Sequence, residues 1–479
     1  MNKRLNYLIL GLVLVFGVLL VYFPHYNYDF PLHIDEWNLI GEMRNVQSFG
    51  LERVIQSPIE SGFVLSLVFV DSFVDIVKFY KFLPALNFLI IGLVLFYFLN
   101  KEYNYWTGLL GVLFFASLKS NVNVLGNWFF VPIVFAAIFI YSCLFNLEKS
   151  LEAKRNMYLT IFFLFLIAFI HPSSFLVLTL TGVIYYRINY KKLNGNLGRL
   201  KGFLFLLIPI ILVIYNLTDF FGNLNFMGFL GNFVWGPLIV QINFVPIMFY
   251  GLLSSLFAFI GFYVTYKRKE LLGFRIYVLI SLISLIAFWF VGKTLFSSYQ
   301  RYLYHFMLGA VVFSAIGLYE FLKFIFNSMK RYKKELRIFI LLFVLLISLV
   351  AMFYNYGEVY EQAELYYVID DNDNDAIVFL KNYDVVEKGT GDRVISYKFP
   401  GTAIHPITGI KTTGNLNAYY EMGNRIADDF FLGNCSAKKE TFDSWKSYKY
   451  VYSYEEINCP FLGEIYRNDK VFLYEEFLD

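Results

Sequence analysis

Runs of about twenty mostly apolar residues, separated by short polar stretches, recur along the first three quarters of the chain. A run of that length crosses a membrane as a helix, because backbone groups in hydrocarbon can bond only to one another. Candidate spans cover roughly 5–23, 82–100, 105–121, 128–147, 156–170, 173–187, 202–217, 245–266, 274–292, 302–326 and 337–354, about eleven in all. The fifth and sixth meet at His171-Pro172, which predicts a turn near the surface. The first span follows Lys3 and Arg4 and carries no small-residue cleavage site, so it reads as a retained anchor.

The stretch Ser61 to Tyr80 is ambiguous: an apolar run, Phe63 to Val70, is followed by Asp71, Asp75 and Lys78. Charge resolves it. With the N-terminus cytoplasmic, the inside loops hold twenty basic residues, among them Lys149, Lys191, Arg268, Arg275 and Lys330. The outside loops hold seven: Arg44, Arg53, Lys78, Lys81, Lys119, Lys293 and Arg301. Such a bias sets topology, and a span at 61–80 would reverse it. That stretch is therefore expected to lie on the outer surface as an amphipathic helix. The outer loop from 24 to 81 is then far longer than a connector requires.

An odd number of spans puts the tail outside and divides the chain into a membrane domain, 1–354, and an extracytoplasmic domain, 355–479. Asp370-Asp371-Asn372-Asp373-Asn374-Asp375 marks the change. Asp373 or Asn374 is expected to cap a helix running through Tyr383. Strand patterns follow at 393–397, 448–454 and 463–474, the last with a hairpin turn at Asn468-Asp469, and helical patterns at 421–431 and 438–445 lie between them. The expected fold is a polytopic α-helical membrane protein with a small α/β tail.

Composition agrees: 58% of the 479 residues are apolar and 16% charged, against about 45–50% and about 25% in soluble domains. A net charge of +3 leaves no basic excess for nucleic acid. Three cysteines exclude a disulfide framework. Cys143 lies in an apolar run and reads as core, while for Cys435 and Cys459 one disulfide is possible if the tail faces an oxidising compartment, and the sequence leaves both outcomes open.

The sharpest local chemistry is His33-Ile34-Asp35-Glu36-Trp37, behind the first span. Adjacent carboxylates there suit a general base, a metal or sugar hydroxyls, and the spacing equally permits a solvated pair capping a helix from Trp37 to Gln47. Lys293, Tyr299, Arg301 and His305 form a second group, with Arg301 and His305 four apart on one helix face. A cation at a helix mouth suits an anionic partner such as phosphate, or snorkels to headgroups. His171-Pro172-Ser173-Ser174 is a third, read either as a hydrogen-bonded turn or as chemistry. Lys119, Asn121, Asn123 and Asn127 read as a solvated turn, and the aromatic-rich stretch Thr218 to Val245 as an interfacial lid or an aromatic belt. The Asn-x-Ser/Thr triplets at Asn216 and Asn434 are too short to carry an argument. There is no nucleotide-binding motif.

This order of features resembles the GT-C superfamily of membrane glycosyltransferases, in particular protein O-mannosyltransferases and aminoarabinose transferases. The resemblance rests on acidic residues opening the first outer loop, Phe79-Tyr80-Lys81-Phe82-Leu83-Pro84 ending a surface helix, and Leu99-Asn100-Lys101-Glu102 closing a span. It also rests on the His171-Pro172 turn, Gln300-Arg301-Tyr302-Leu303, and a tail ending in Glu464-Ile465-Tyr466 to Leu473-Tyr474.

The resemblance implies an inverting transfer of sugar from a polyprenyl-phosphate donor to a protein, lipid or glycan acceptor on the outer face of the cell membrane. Asp35 would act as base with Glu36 in support. Arg301, Lys293 and His171 would hold the donor phosphate, with His33, Tyr299 and His305 supporting. The turn after the third span offers Lys119 and asparagines where many relatives carry a second carboxylate, which counts against a divalent metal without closing the question. The tail lacks a WWDYG-type motif, which disfavours transfer of a whole oligosaccharide. A transporter or lipid flippase, or an inactive scaffold of the same fold, are the alternative readings. The former would place charges at mid-span, whereas here they cluster at outer helix ends.

Overall fold

The computed structural model describes residues 3–50, 60–120, 124, 126–189, 245–292, 294, 297–329, 334–353, 367–387, 393–416, 421–444 and 448–477. The expected span 202–217, the stretch 218–244, Asn121, Asn123, Asn216 and Lys293 lie outside them.

The helices run in chain order as α1 (Lys3–Tyr22), α2 (Ile34–Phe49), α3 (Ser61–Asp71), α4 (Ile76–Phe79), α5 (Leu83–Glu102), α6 (Tyr105–Ala116) and α7 (Pro132–Lys149). There follow α8 (Lys154–Ile170), α9 (Pro172–Ile188), α10 (Pro246–Tyr250), α11 (Leu252–Arg268), α12 (Leu272–Val291), α13 (Tyr299–Ser328) and α14 (Lys334–Phe353). The C-terminal part adds α15 (Asp371–Glu387), β1 (Arg393–Ser396), α16 (Lys398–Thr408), β2 (Lys411–Thr412), α17 (Glu421–Leu432), α18 (Cys435–Ser444), β3 (Tyr448–Ser453), β4 (Leu462–Arg467) and β5 (Phe472–Glu476).

The chain forms two compact units. The first comprises the described residues of Met1–Tyr26, Ile55–Phe63 and Phe82–Ala363; the second those of Asn27–Val54, Val64–Lys81 and Glu364–Asp479.

Among the described residues, five helical stretches are long and apolar enough to cross a membrane: Arg4–His25, Ile76–Glu102, Pro132–Lys149, Leu272–Val291 and Tyr299–Ser328. Helices α8, α9 and α11, expected as spans, have 17 residues each. The expected span 105–121 is shorter than its apolar run suggests. Its helix ends at Ala116, where the Ser117 hydroxyl donates back to the Phe114 carbonyl. The helix expected from 128 begins at Pro132, whose ring suits a first helical position and which has no N–H to give.

In the first unit α13 is the central helix, buried from Tyr302 through Leu318. Hydroxyls pin it: Tyr141 donates to the Leu308 carbonyl at 2.8 Å, and Ser314 to the Ser254 carbonyl at 2.9 Å. Its crossing with α11 depends on two glycines. A Cβ at Gly261 would meet the Phe313 carbonyl oxygen at 1.9 Å, and one at Gly317 the Phe257 carbonyl oxygen at 1.9 Å. Only small residues let helix backbones approach so closely. Arg268 pairs with Glu320 at 2.9 Å, Lys149 with Glu102, and Tyr103 donates to Glu270 at 3.2 Å. These contacts collect the basic ends of α5, α7, α11 and α13 at one end of the bundle, and His171 and Arg301 sit at the other ends of their helices.

The second unit contains a five-stranded sheet in the order β2-β1-β3-β5-β4. Parallel pairing joins β1 to β2 and β3; β5 lies antiparallel between β3 and β4. Phe430, Phe442, Val451 and Tyr474 fill its core, and Cys435 and Cys459 form a disulfide beside it, with Cα atoms 5.5 Å apart. The expected hairpin turn is present, its Asn468 side chain accepting from Lys470 and Val471 N–H groups. The cap of α15 lies three residues before the earlier of the two expected positions. Asp370 Oδ1 accepts from the Asp373 N–H at 2.9 Å and Asp373 Oδ2 from the Asp370 N–H at 3.0 Å, so Asp370 starts the helix. Lys470 reaches both carboxylates, at 2.8 and 2.6 Å.

Helix α2 packs on α16 within this unit. Arg44 Nε donates to the Pro406 carbonyl at 3.0 Å, and His405 Nε2 lies 3.1 Å from Asn45 Oδ1. Arg44 also pairs with Asp71 of α3 at 2.8 Å. The stretch Ser61 to Tyr80 is helical as expected, in two pieces broken after Asp71. Asp75 caps the second piece, accepting from the Val77 N–H.

Candidate functional site

His171 is both the last cap of α8 and the first cap of α9. Pro172 ends one helix and opens the next, and the imidazole turns inward, 1% exposed. The Ser174 backbone N–H donates to His171 Nδ1 at 3.2 Å. A nitrogen that accepts from an amide carries no proton, so the imidazole proton resides on Nε2.

This one assignment orders a chain of buried groups. The Ser174 hydroxyl, 2.6 Å from His171 Nδ1, donates to it and accepts from His305 Nε2 at 3.3 Å. His305 Nδ1 then accepts from the Tyr277 hydroxyl at 2.6 Å. Ser174, His305 and Tyr277 are all fully buried. The chain runs from α12 through α13 and α9 to the α8–α9 turn, and its outer end is the Nε2–H of His171. Burial holds that imidazole neutral, well below its ordinary pKa, and the Arg301 guanidinium and His305 act in the same direction.

His171 Nε2 faces Glu60. It stands 4.0 Å from Glu60 Oε1, and Arg301 Nη2 approaches the same oxygen from α13 at 3.8 Å. Two donors from different helices thus point at one carboxylate oxygen, each about 1 Å too far for a close hydrogen bond. His171 Nε2 has no hydrogen-bond partner among the described residues. Arg301 is 45% exposed at its side chain and His305 fully buried, so the two share a helix but divide between surface and interior. Glu60 itself holds a left-handed backbone, φ +59°, which a non-glycine residue adopts at a cost of about 1 kcal/mol or more. Tyr299 is buried at the start of α13 and accepts from Trp289 Nε1 at 3.1 Å.

The acidic pair belongs to the second unit, and its two members are used differently. His33 is the N-cap of α2, its Nδ1 accepting from the Asp35 N–H at 3.1 Å, while the Glu36 carboxylate accepts from the His33 N–H at 3.0 Å. This reciprocal capping box starts the helix three residues before the expected Trp37 and buries Glu36 completely. The solvated capping pair is therefore corrected: the cap is His33, and only Asp35 is solvated, 53% exposed and 3.9 Å from His33 Nδ1.

A second correction concerns Asn127, expected in a solvated turn. It is buried, donating to the Phe115 carbonyl at 2.6 Å and accepting from the Tyr304 hydroxyl at 3.3 Å. Glu60, Ser174 and Tyr277 carry no sequence motif of their own. The only available signal was a serine three residues after a histidine at a helix start, the spacing of a cap. Among the described residues no three His, Cys, Asp or Glu side chains gather as a metal cage.

No protein-family model matches the sequence, and no curated protein matches it. Solved structures do. The fold is similar to ArnT from Cupriavidus metallidurans bound to undecaprenyl phosphate, with a TM-score of 0.59 and 10% identity over 97% of each chain. It is also similar to the oligosaccharyltransferase of Archaeoglobus fulgidus tethered to an acceptor peptide with an NVT sequon. There the TM-score is 0.58 and the identity 14%, over 94% of this chain and 69% of that one. These likenesses are of fold, and they fit the polytopic helical fold with a small C-terminal domain expected from the sequence.

Proposed function

We propose that the protein transfers a sugar from a polyprenyl-phosphate-linked donor to an acceptor on the outer face of the membrane, with inversion at the anomeric carbon. The observation that carries this reading is the convergence of Arg301 and His171 on one carboxylate oxygen. Donors spaced to face an anion, one charged and one a neutral N–H, suit a phosphate oxygen. Glu60 occupies the anion's place when no donor is bound, and Lys293 adds a second cation by its position in the sequence.

In the proposed step the acceptor hydroxyl attacks the anomeric carbon while the bond from that carbon to the phosphate oxygen breaks. The acceptor proton passes to Asp35, the carboxylate that the capping box leaves solvated, and the bonding pair leaves on the phosphate. Arg301 and the His171 Nε2–H stabilise the charge that grows there. The buried chain through Ser174, His305 and Tyr277 keeps the His171 proton on Nε2, facing the anion. Glu36 and His33 act by holding α2. The ArnT structure holds undecaprenyl phosphate, which supports a polyprenyl-phosphate ligand here. The Cys435–Cys459 disulfide supports an extracytoplasmic tail, and the charge bias a cytoplasmic N-terminus in the cell membrane. The acceptor is a protein, lipid or glycan.

The test is transfer from a labelled polyprenyl-phosphate sugar in membranes carrying wild type, Asp35→Asn or Arg301→Gln. Each variant is expected to lose about 100-fold or more in transfer. Equal transfer by wild type and Asp35→Asn would remove Asp35 from the mechanism. Movement of the labelled lipid across the membrane without sugar transfer would favour a flippase.

A further inference from the structure

At the basic end of the bundle, Arg275 of α12 is 8% exposed. Its guanidinium lies 5.4 Å over the Tyr266 ring, and its Nε is buried with no hydrogen-bond partner among the described residues. No carboxylate among them lies within ion-pair distance of it. The nearest candidate, Glu148, acts on it electrostatically from beyond ion-pair distance, its Oε1 accepting from the Gly273 and Phe274 N–H groups at the start of α12. Neighbouring acids are matched to other partners: Glu320 to Arg268, Glu102 to Lys149 and Glu270 to Tyr103.

A buried cation with no direct ion-pair partner is costly, and such a site suits an anion from outside the protein. Two further acids on this face, Glu152 and Glu335, are exposed and form no ion pair with Arg275 among the described residues. Segments 189–201 and 329–333, which the charge pattern assigns to the same face, contain Lys and Arg but no Asp or Glu.

We propose that Arg275 binds a phosphate group at this end of the bundle, presented by an anionic lipid headgroup. The guanidinium fork matches two phosphate oxygens, which a point charge does not. The Tyr266 ring covers one face of the guanidinium and leaves its edge for the anion. Basic pockets between helices on the cytoplasmic side bind headgroups in this way. The site is separate from Arg301 and does not depend on the transfer reaction.

The experiment uses the full-length protein in nanodiscs of phosphatidylcholine, alone or mixed with phosphatidylglycerol, read by native mass spectrometry and thermal unfolding. Wild type is expected to retain phosphatidylglycerol about tenfold over phosphatidylcholine, and Arg275→Met to lose that preference. In neutral detergent Arg275→Met is expected to unfold at the same or a higher temperature than wild type, since it removes an unpaired buried charge. A cation with a purely structural role would give the opposite result. Inorganic phosphate distinguishes the source: a stabilisation of wild type by phosphate alone, absent in Arg275→Met, assigns the site to free phosphate and overturns the headgroup. Retention of phosphatidylglycerol by Arg275→Met at the wild-type level overturns the site. Should that variant fail to accumulate, equal retention of both lipids by wild type overturns it as well.

Discussion

The backbone amide of Ser174 donates to Nδ1 of His171, and this bond decides where the proton of a buried imidazole resides. Everything beyond it follows in one direction, to His305 and Tyr277 on one side and to Glu60 and Arg301 on the other. Ser174→Ala removes the hydroxyl that joins the two histidines, while the backbone bond to His171 Nδ1 stays. The stranded His305 N–H should cost about 1–3 kcal/mol, seen as a lower unfolding temperature in detergent. Ser174→Thr, which keeps the hydroxyl, should recover most of it.

Glu60→Gln tests whether the carboxylate competes with the donor. Removing the charge while keeping the shape should lower KM for the polyprenyl-phosphate donor several-fold, about 1 kcal/mol in binding, with kcat little changed. A large fall in kcat at constant KM would instead make Glu60 a participant in the chemistry.

Gly261→Val should prevent the close crossing of α11 and α13, because the added atoms fall where the Phe313 carbonyl stands. Backbone cannot give way as a side-chain tip does. The variant is expected to lose several kcal/mol and to fail to accumulate in membranes, while Gly11→Val, which meets nothing within 4 Å, should accumulate normally.

Lys470 sets a pH window for the second unit. Burial alone would raise the Asp370 carboxyl, but hydrogen bonds from Lys470 and the Asp373 amide outweigh it and hold the group below its ordinary range. Burial likewise opposes the Lys470 charge, yet the two carboxylates raise its pKa. Asp370, depressed in the fold, contributes stability that is present above about pH 4 and is lost as pH falls; Lys470, raised, contributes stability that is present below about pH 10 and is lost as pH rises. Lys470→Met leaves Asp373 buried without its cation. It should cost about 1–3 kcal/mol at neutral pH and flatten both limbs of a stability-against-pH curve measured by denaturant unfolding.

Glu36→Ala should cost about 1 kcal/mol through the lost capping box, read by unfolding. Because the carboxylate is buried in that role, Glu36→Gln, which still accepts from the His33 N–H, should retain transfer activity.

These outcomes bear on what could be read from residues alone. Apolar runs, the tail's strands and the His171 turn depend on neighbours in the chain, and the structure has helices and strands along most of those stretches that it describes, with the helix from Tyr105 ending at Ala116, the one expected from 128 starting at Pro132 and the one expected at 245–266 broken at Gly251. Helix α16 has no counterpart among the sequence patterns: Pro400, Gly401 and Pro406 disfavour a helix, yet Pro400 tolerates a first turn, and Pro406 sits near the end. Asn127 looked solvated because its neighbours are polar, and its burial follows from Tyr304, 177 positions away. Glu60 and Arg301 are 241 residues apart by their numbering, and no local spacing announces their meeting.

The docking of α2 on α16 has a consequence in time. Arg44 finds its acceptor on Pro406, 362 positions later, and at roughly 5–20 residues per second a ribosome needs on the order of tens of seconds to cover that distance. Until then the helix that carries Asp35 lacks its support. The carboxylate proposed as the base is thus made well before the segment that gives its helix this contact, so a nascent chain carries the acidic motif long before Pro406 can meet Arg44.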